Sequence, residues 1–308
     1  MQQRAAIVDL GTNTFNLLVF ERNEGSGLRI IHTEERSVFL GSGGIEHGVI
    51  ADDAFERGMV MLRTLRIVAE EHGAVHVSGF GTSALRNARN AERFLERARA
   101  ELGITITIIP GDEEADLILE GVRQAITLTS KPALVMDIGG GSIEFILATE
   151  KALMWKHSFE IGATRLRERI PISDPISVEE EARIAAHLDD RLGPLYAIIE
   201  RHEPHLLIGS AGSFDSIATM IAAEQGTPVQ DDMRSFAFSA LDFDDLKERL
   251  QRMDRNERAQ QPGLPEYRLD TLPYALIMID RVLSAGGIRD MSWSRYALKE
   301  GAAIRALG

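Results

Sequence analysis

The chain has 308 residues, 44% hydrophobic and 26% charged, which is ample material for a packed core and a length nearer two domains than one. It contains no cysteine, so disulfides and thiolate metal sites are excluded, and no run approaches the ~20 apolar residues that cross a bilayer. A formal net charge of −13 repels nucleic acid and anionic membranes at long range, so the expectation is a soluble cytoplasmic protein that partners neither. An anion site on such a chain must work through local backbone donors, a few arginines and a metal ion.

The first predicted element is a hairpin in Ala5–Glu21, AAIVDLGTNTFNLLVFE, with β-forming residues on both sides of a small-residue turn. Apolar residues at Phe55, Met59, Leu62, Leu65, Val68 and Ala69 predict a helix over Asp52–His72, with an Asp pair available to cap it. A shorter helix over Ala91–Leu102 follows, then a strand over Ile104–Ile109. After Pro110-Gly111-Asp112 comes a helix over Glu113–Ala125, with acidic residues in its first turn. Ala133–Thr149, ALVMDIGGGSIEFILAT, repeats the first hairpin in degenerate form, which predicts two related halves with a boundary near Gln124–Lys131. The second half adds helices at Val178–His202, after Ser213, and at Ala240–Arg255, with a strand at His205–Ile208. Strands alternating with helices, together with antiparallel hairpins, predict α/β domains.

In the turns Gly11-Thr12-Asn13-Thr14 and Gly139-Gly140-Gly141-Ser142, consecutive backbone N–H groups and nearby hydroxyls can converge on an anion. A plain hairpin turn would explain one such segment. Two copies, each preceded by an aspartate, favour the anion site. A carboxylate beside a phosphate is repulsive unless it holds a cation or a water, so Asp9, Asp137 and Glu144 read as metal-side groups, with Mg²⁺ the fitting ion. Glu113 and Glu114 both open a helix, and one of them could orient or deprotonate a water; the sequence does not choose between them. Arg86 follows the small-residue segment Gly81-Thr82-Ser83-Ala84 and is the leading phosphate clamp, with Arg165 a second. Gly209-Ser210-Ala211-Gly212-Ser213, ahead of a helix, reads either as a further anion seat through Ser210 and Gly212 or as a tight turn. Zinc spacings, the Walker loop, the nucleophile elbow and the dinucleotide fingerprint are all missing.

These segments together resemble the exopolyphosphatase and guanosine pentaphosphate phosphohydrolase family of the actin-like ATPase superfamily. Asp9–Thr14 resembles its first phosphate motif, and Asp137–Glu144 its second. Gly81–Asn90 resembles its arginine-bearing segment, and Gly111–Ala115 the segment with the catalytic glutamate, which falls on Glu114. Ser158–Leu166, Gly209–Ala218, Pro262–Asp270 and Leu298–Gly301 look like further landmarks, so the resemblance spans nearly the whole chain. It implies two ribonuclease H-like domains, 1–125 (joined by a C-terminal helix at about 296–308) and 126–295, with the active site in the cleft between them. It also implies metal-assisted attack of water on a terminal phosphorus, using Mg²⁺ or another divalent ion such as Mn²⁺. Glu114 would be the base and Arg86 the clamp, and inorganic polyphosphate or a polyphosphorylated guanosine nucleotide the substrate. A sensor without activity and a sugar-kinase-like phosphotransferase are the rivals. The chain departs from the family pattern at Asn16, Ile143 and Ser210-Ala211. It is also too short for the helical domain of longer relatives, which implies lower processivity and is compatible with a homodimer.

Overall fold

In the computed structural model, which describes residues 3–23 and 27–307, the chain divides into two units. Residues 1–2, 24–26 and 308, included in the domain ranges above, lie outside the described residues. The first unit runs to Gly121, takes in residues 139–141, and resumes at Ala297; the second holds the rest.

The first unit comprises β1 (Arg4–Leu10), β2 (Thr14–Arg22), β3 (Leu28–Ser37), α1 (Asp52–Glu71), β4 (Ala74–Gly81), α2 (Ser83–Asn87), α3 (Ala91–Leu102), β5 (Thr105–Ile108) and α4 (Gly111–Ala125). Its sheet has the order β3-β2-β1-β4-β5. The first three strands are antiparallel neighbours, whereas β4 and β5 run parallel to β1. Val8, Leu10, Phe15 and Leu17 of the hairpin pack into one core with Phe55, Met59, Leu62 and Leu65 of α1 and Phe94 of α3. That row on α1 is the helical spacing read from the sequence. The Asp pair does not cap this helix: the N-cap is Ala51, and Asp52 and Asp53 occupy the first turn, where the dipole favours them. Because β1, β4 and β5 are parallel, the segments after Leu10, Gly81 and Ile108 gather at one edge of the sheet. Sites in open α/β sheets form at that carboxyl edge.

The second unit comprises β6 (Ala133–Ile138), β7 (Ile143–Ala148), β8 (Leu153–Phe159), α5 (Ala163–Arg169), α6 (Val178–Arg191), α7 (Gly193–His202), β9 (Leu206–Ser210), α8 (Gly212–Glu224), β10 (Ser235–Ser239), α9 (Ala240–Arg252), α10 (Arg255–Arg258), α11 (Leu272–Gly286) and β11 (Asp290–Ser294). Its sheet order, β8-β7-β6-β9-β11-β10, repeats the first with one added antiparallel edge strand. The two hairpins match in register: Asp9 faces Asn16 and Leu10 faces Phe15, while Asp137 faces Glu144 and Ile138 faces Ile143. The degenerate sequence repeat is therefore a structural repeat, with a four-residue turn in each copy.

Some element boundaries differ from expectation. Val178–His202 is two helices, because Pro194 lacks an N–H and starts a new helix rather than continuing one. The helix predicted to reach Arg255 ends at Arg252, and a separate short helix begins after the capping Asp254. Helix α4 starts at Gly111, ahead of Glu113.

Last in the chain, α12 (Leu298–Leu307) returns to the first unit and packs on β1 and β2. It meets α4 backbone to backbone: a Cβ on Gly301 would lie 1.8 Å from the Leu117 carbonyl, and one on Gly121 would lie 2.1 Å from that of Ala297. Only glycine fits at either position. Arg305 then pairs with Glu113 at 3.5 Å and Glu120 at 2.6 Å. Among the described residues, no helix is long and apolar enough to cross a membrane.

Candidate active site

At the carboxyl edge of the first sheet, the turn Gly11–Thr14 is closed by the Gly11 N–H, which donates to the Thr14 carbonyl at 3.0 Å. That amide is used within the loop. The Asn13 carbonyl accepts from Val38 and Phe39, and the Thr12 carbonyl from Gly41, so the turn is held from outside. Thr82 is tied to the same place: its hydroxyl donates to the Leu10 carbonyl at 3.3 Å. Residues 139–141 also cluster with this unit. A Cβ on Gly140 would lie 2.9 Å from the Asn13 amide group, and one on Gly141 would lie 2.5 Å from the Ser83 hydroxyl.

Arg86, on the short α2, donates from Nη1 to Glu114 Oε2 at 2.8 Å and to the Ile109 carbonyl at 3.2 Å. The Glu114 residue is 7% exposed. Glu113 points elsewhere, into the exposed pair with Arg305. The two glutamates that the sequence leaves equivalent are thus separated by burial and partner. Only Glu114 sits fixed beside an arginine at the carboxyl edge.

Asp9 is partly buried, and burial pushes its carboxyl up to about 6. The Lys299 ammonium and a hydrogen bond from Asn16 pull the other way, while Glu300 and Glu35 add to the rise. Asn16 Nδ2 donates to Asp9 Oδ2 at 3.3 Å across the hairpin. Lys299, from α12, also pairs with the buried Glu300 at 3.0 Å, and Glu300 caps its own helix by accepting the Ala297 N–H.

In the second unit, Asp137 and Glu144 stand directly opposite on β6 and β7. Like charges so placed are destabilising. Each accepts a hydroxyl at 2.7 Å, Asp137 from Ser210 and Glu144 from Ser158. Ser142 is buried at the end of the turn. Ser210, expected as a phosphate donor, directs its hydrogen at the Asp137 carboxylate. After it the chain turns sharply, with Ala211 at φ 53 and ψ −175 and Gly212 at φ 52, into the first turn of α8. Arg165, on α5, pairs with Glu160 at 3.0 Å and is largely buried.

Hard cations such as Mg²⁺ bind through one or two carboxylates completed by phosphate oxygens and water. The Asp137–Glu144 pair fits that chemistry. Among the described residues, no cluster of three or more His, Asp or Glu side chains could hold a metal ion, so a bound substrate would have to supply the remaining oxygens.

A model of the Ppx/GppA phosphatase family matches residues 18–308. The chain belongs to the Ppx/GppA phosphatase family. It is 28% identical over 320 residues to a Mycobacterium tuberculosis protein named exopolyphosphatase 2, covering 99% of both chains. It is 26% identical to exopolyphosphatase 1 of Mycobacterium bovis, covering 99% of this chain and 88% of that one. The crystal structure of an exopolyphosphatase from Cytophaga hutchinsonii superposes with a TM-score of 0.95 at 35% identity, covering 99% of this chain and 98% of that one. An Aquifex aeolicus PPX-GPPA enzyme, at 22% identity and a TM-score of 0.80, shares the fold. The two sheets of repeated strand order are therefore the two domains of the actin-like ATPase fold.

Sequence reasoning missed three residues of the site: Ser158, Lys299 and the role of Asn16. The first two fall within segments recognised only as landmarks. Asn16 could have been found from hairpin register alone, since a four-residue turn puts it opposite Asp9.

Proposed function

We propose that this chain is an exopolyphosphatase that releases terminal orthophosphate from inorganic polyphosphate. The observation that carries the reading is the buried Glu114 held by Arg86 at 2.8 Å, in a chain that aligns end to end with proteins named exopolyphosphatase.

Water is the nucleophile. Glu114 accepts its proton as its oxygen attacks the terminal phosphorus, and the phosphoanhydride bond breaks toward the rest of the polymer. Orthophosphate leaves, and the shortened chain keeps the bridging oxygen and its charge. Arg86 fixes the glutamate and would clamp phosphate oxygens. The loop donors Thr12, Asn13, Thr14, Gly139, Gly140, Gly141 and Ser142 orient the terminal phosphates through backbone and hydroxyl hydrogens. Asp137 and Glu144 would hold the divalent cation, Mg²⁺ or Mn²⁺, which would offset negative charge on the phosphates, and Asp9 is the metal-side carboxylate that the first hairpin offers. Arg165 and the α8 N-terminus at Gly212 would meet the anionic chain beyond the reacting group.

The test is phosphate release from medium-chain polyphosphate and from guanosine pentaphosphate, with and without Mg²⁺, for the wild type and Glu114→Ala. Cation-dependent release from polyphosphate that collapses in the variant supports the reading. Faster release from guanosine pentaphosphate would make that nucleotide the substrate. Release from neither substrate would overturn the assignment.

A further inference from the structure

Ser210, Asp137, Glu144 and Ser158 occupy successive in-register positions across β9, β6, β7 and β8. Directly opposed residues on neighbouring strands project from the same face, so these four form one row. Its two inner members are carboxylates, and its two outer members are hydroxyls that donate inward, each at 2.7 Å. That length suits a hydroxyl donating to a carboxylate. Ser210 is fully buried and Glu144 is 1% exposed, so water does not compete freely for these bonds.

The first unit has the same row with different contents: Phe80, Asp9, Asn16 and Glu35 on β4, β1, β2 and β3. There the hydrogen donor to the aspartate is the inner amide of Asn16, and no hydroxyl flanks the row. The second unit instead sets two acceptors side by side, and the outside strands donate a hydroxyl to each. Placing two carboxylates together costs stability unless each is held and a cation sits between them and the ligand. A serine hydroxyl has a single hydrogen, and in both serines it is committed to a carboxylate.

We propose that Ser158 and Ser210 are positioning residues that set the orientation of the Glu144 and Asp137 carboxylates for a divalent cation. This inference rests on the exopolyphosphatase reading, and it assigns to Ser158 a role that no motif marks. Neither serine touches the reacting phosphate. Each acts by fixing which carboxylate oxygen faces the ion, as outer partners of metal ligands do.

The test is direct Mn²⁺ binding to the 308-residue chain, followed by electron paramagnetic resonance, for the wild type, Ser158→Ala, Ser158→Thr and Ser210→Ala. Melting temperatures and the Mg²⁺ concentration for half-maximal phosphate release are measured in parallel. Each alanine variant is expected to bind Mn²⁺ about tenfold more weakly. Its half-maximal Mg²⁺ concentration should rise in step, with the KM for polyphosphate little changed at saturating Mg²⁺. Ser158→Thr, which keeps the hydroxyl, is expected to stay within about twofold of the wild type. Alanine variants that melt lower but bind Mn²⁺ like the wild type would overturn the inference and leave the enzyme assignment standing. A wild type that neither binds Mn²⁺ nor releases phosphate would overturn both.

Discussion

Removing the charge of Asp9 should stabilise the metal-free protein while abolishing its activity. Its carboxyl moves from an ordinary 3.8 to about 6 on folding, chiefly because burial disfavours the anion. At 1.36 kcal/mol per unit, the ionised form costs the fold about 3 kcal/mol. The folded-state value is raised, so the cost is absent below the unfolded value of 3.8 and fully present above about 6. Asp9→Asn removes it, although the amide loses the attraction of Lys299 and recovers the Asn16 contact only by turning its oxygen toward it. The assay is thermal melting in chelator at pH 8 and at pH 4 to 5, following the transition of the first unit. A gain of 2 to 3 kcal/mol would raise that transition by roughly 5–10 °C at pH 8. The gain should shrink as pH falls through 6 and nearly vanish by pH 4. A variant that melts at or below the wild type at pH 8, or gains equally at both pH values, would refute the desolvation argument.

Three further outcomes follow from the packing. Glu114→Ala leaves Arg86 without its largely buried partner and should destabilise by about 3 kcal/mol in urea titrations, whereas Glu113→Ala breaks an exposed pair and should cost less than about 1 kcal/mol. Gly301→Ala places a methyl against the Leu117 backbone, which cannot swing aside, so a loss of at least about 3 kcal/mol is expected, or an insoluble product. Ala211→Gly relieves a backbone conformation that a side chain resists, and calorimetry should show a gain of about 1 kcal/mol after the added unfolded-state entropy.

What the sequence revealed depended on how local each signal was. The two hairpins were legible because strand, turn and strand lie within seventeen residues, and their Asp-containing repeat marks both copies. Helix α1 was legible from its apolar row. In contrast, residues 272–279 of α11 are apolar and buried without a break, so that half of the helix offers no polar face to read. Strands β3, β4, β8, β10 and β11 were not identified, and with β8 unseen nothing placed Ser158 opposite Glu144. The Glu113 and Glu114 pair shows the same limit. Both suit a helix's first turn, and what separates them is Arg86 on one side and Arg305 on the other, 28 and 192 residues away. Partners that distant leave no mark in spacing.

In the proposed mechanism Glu114 activates water for attack on a terminal phosphorus. Polyphosphate hydrolysis in ¹⁸O-labelled water, comparing the wild type with Glu114→Gln, tests it most directly. One labelled oxygen is expected in each released phosphate, and a rate lowered by roughly 10²–10⁴ in the variant with substrate binding retained. Unlabelled phosphate, or a variant that turns over at the wild-type rate, would contradict it.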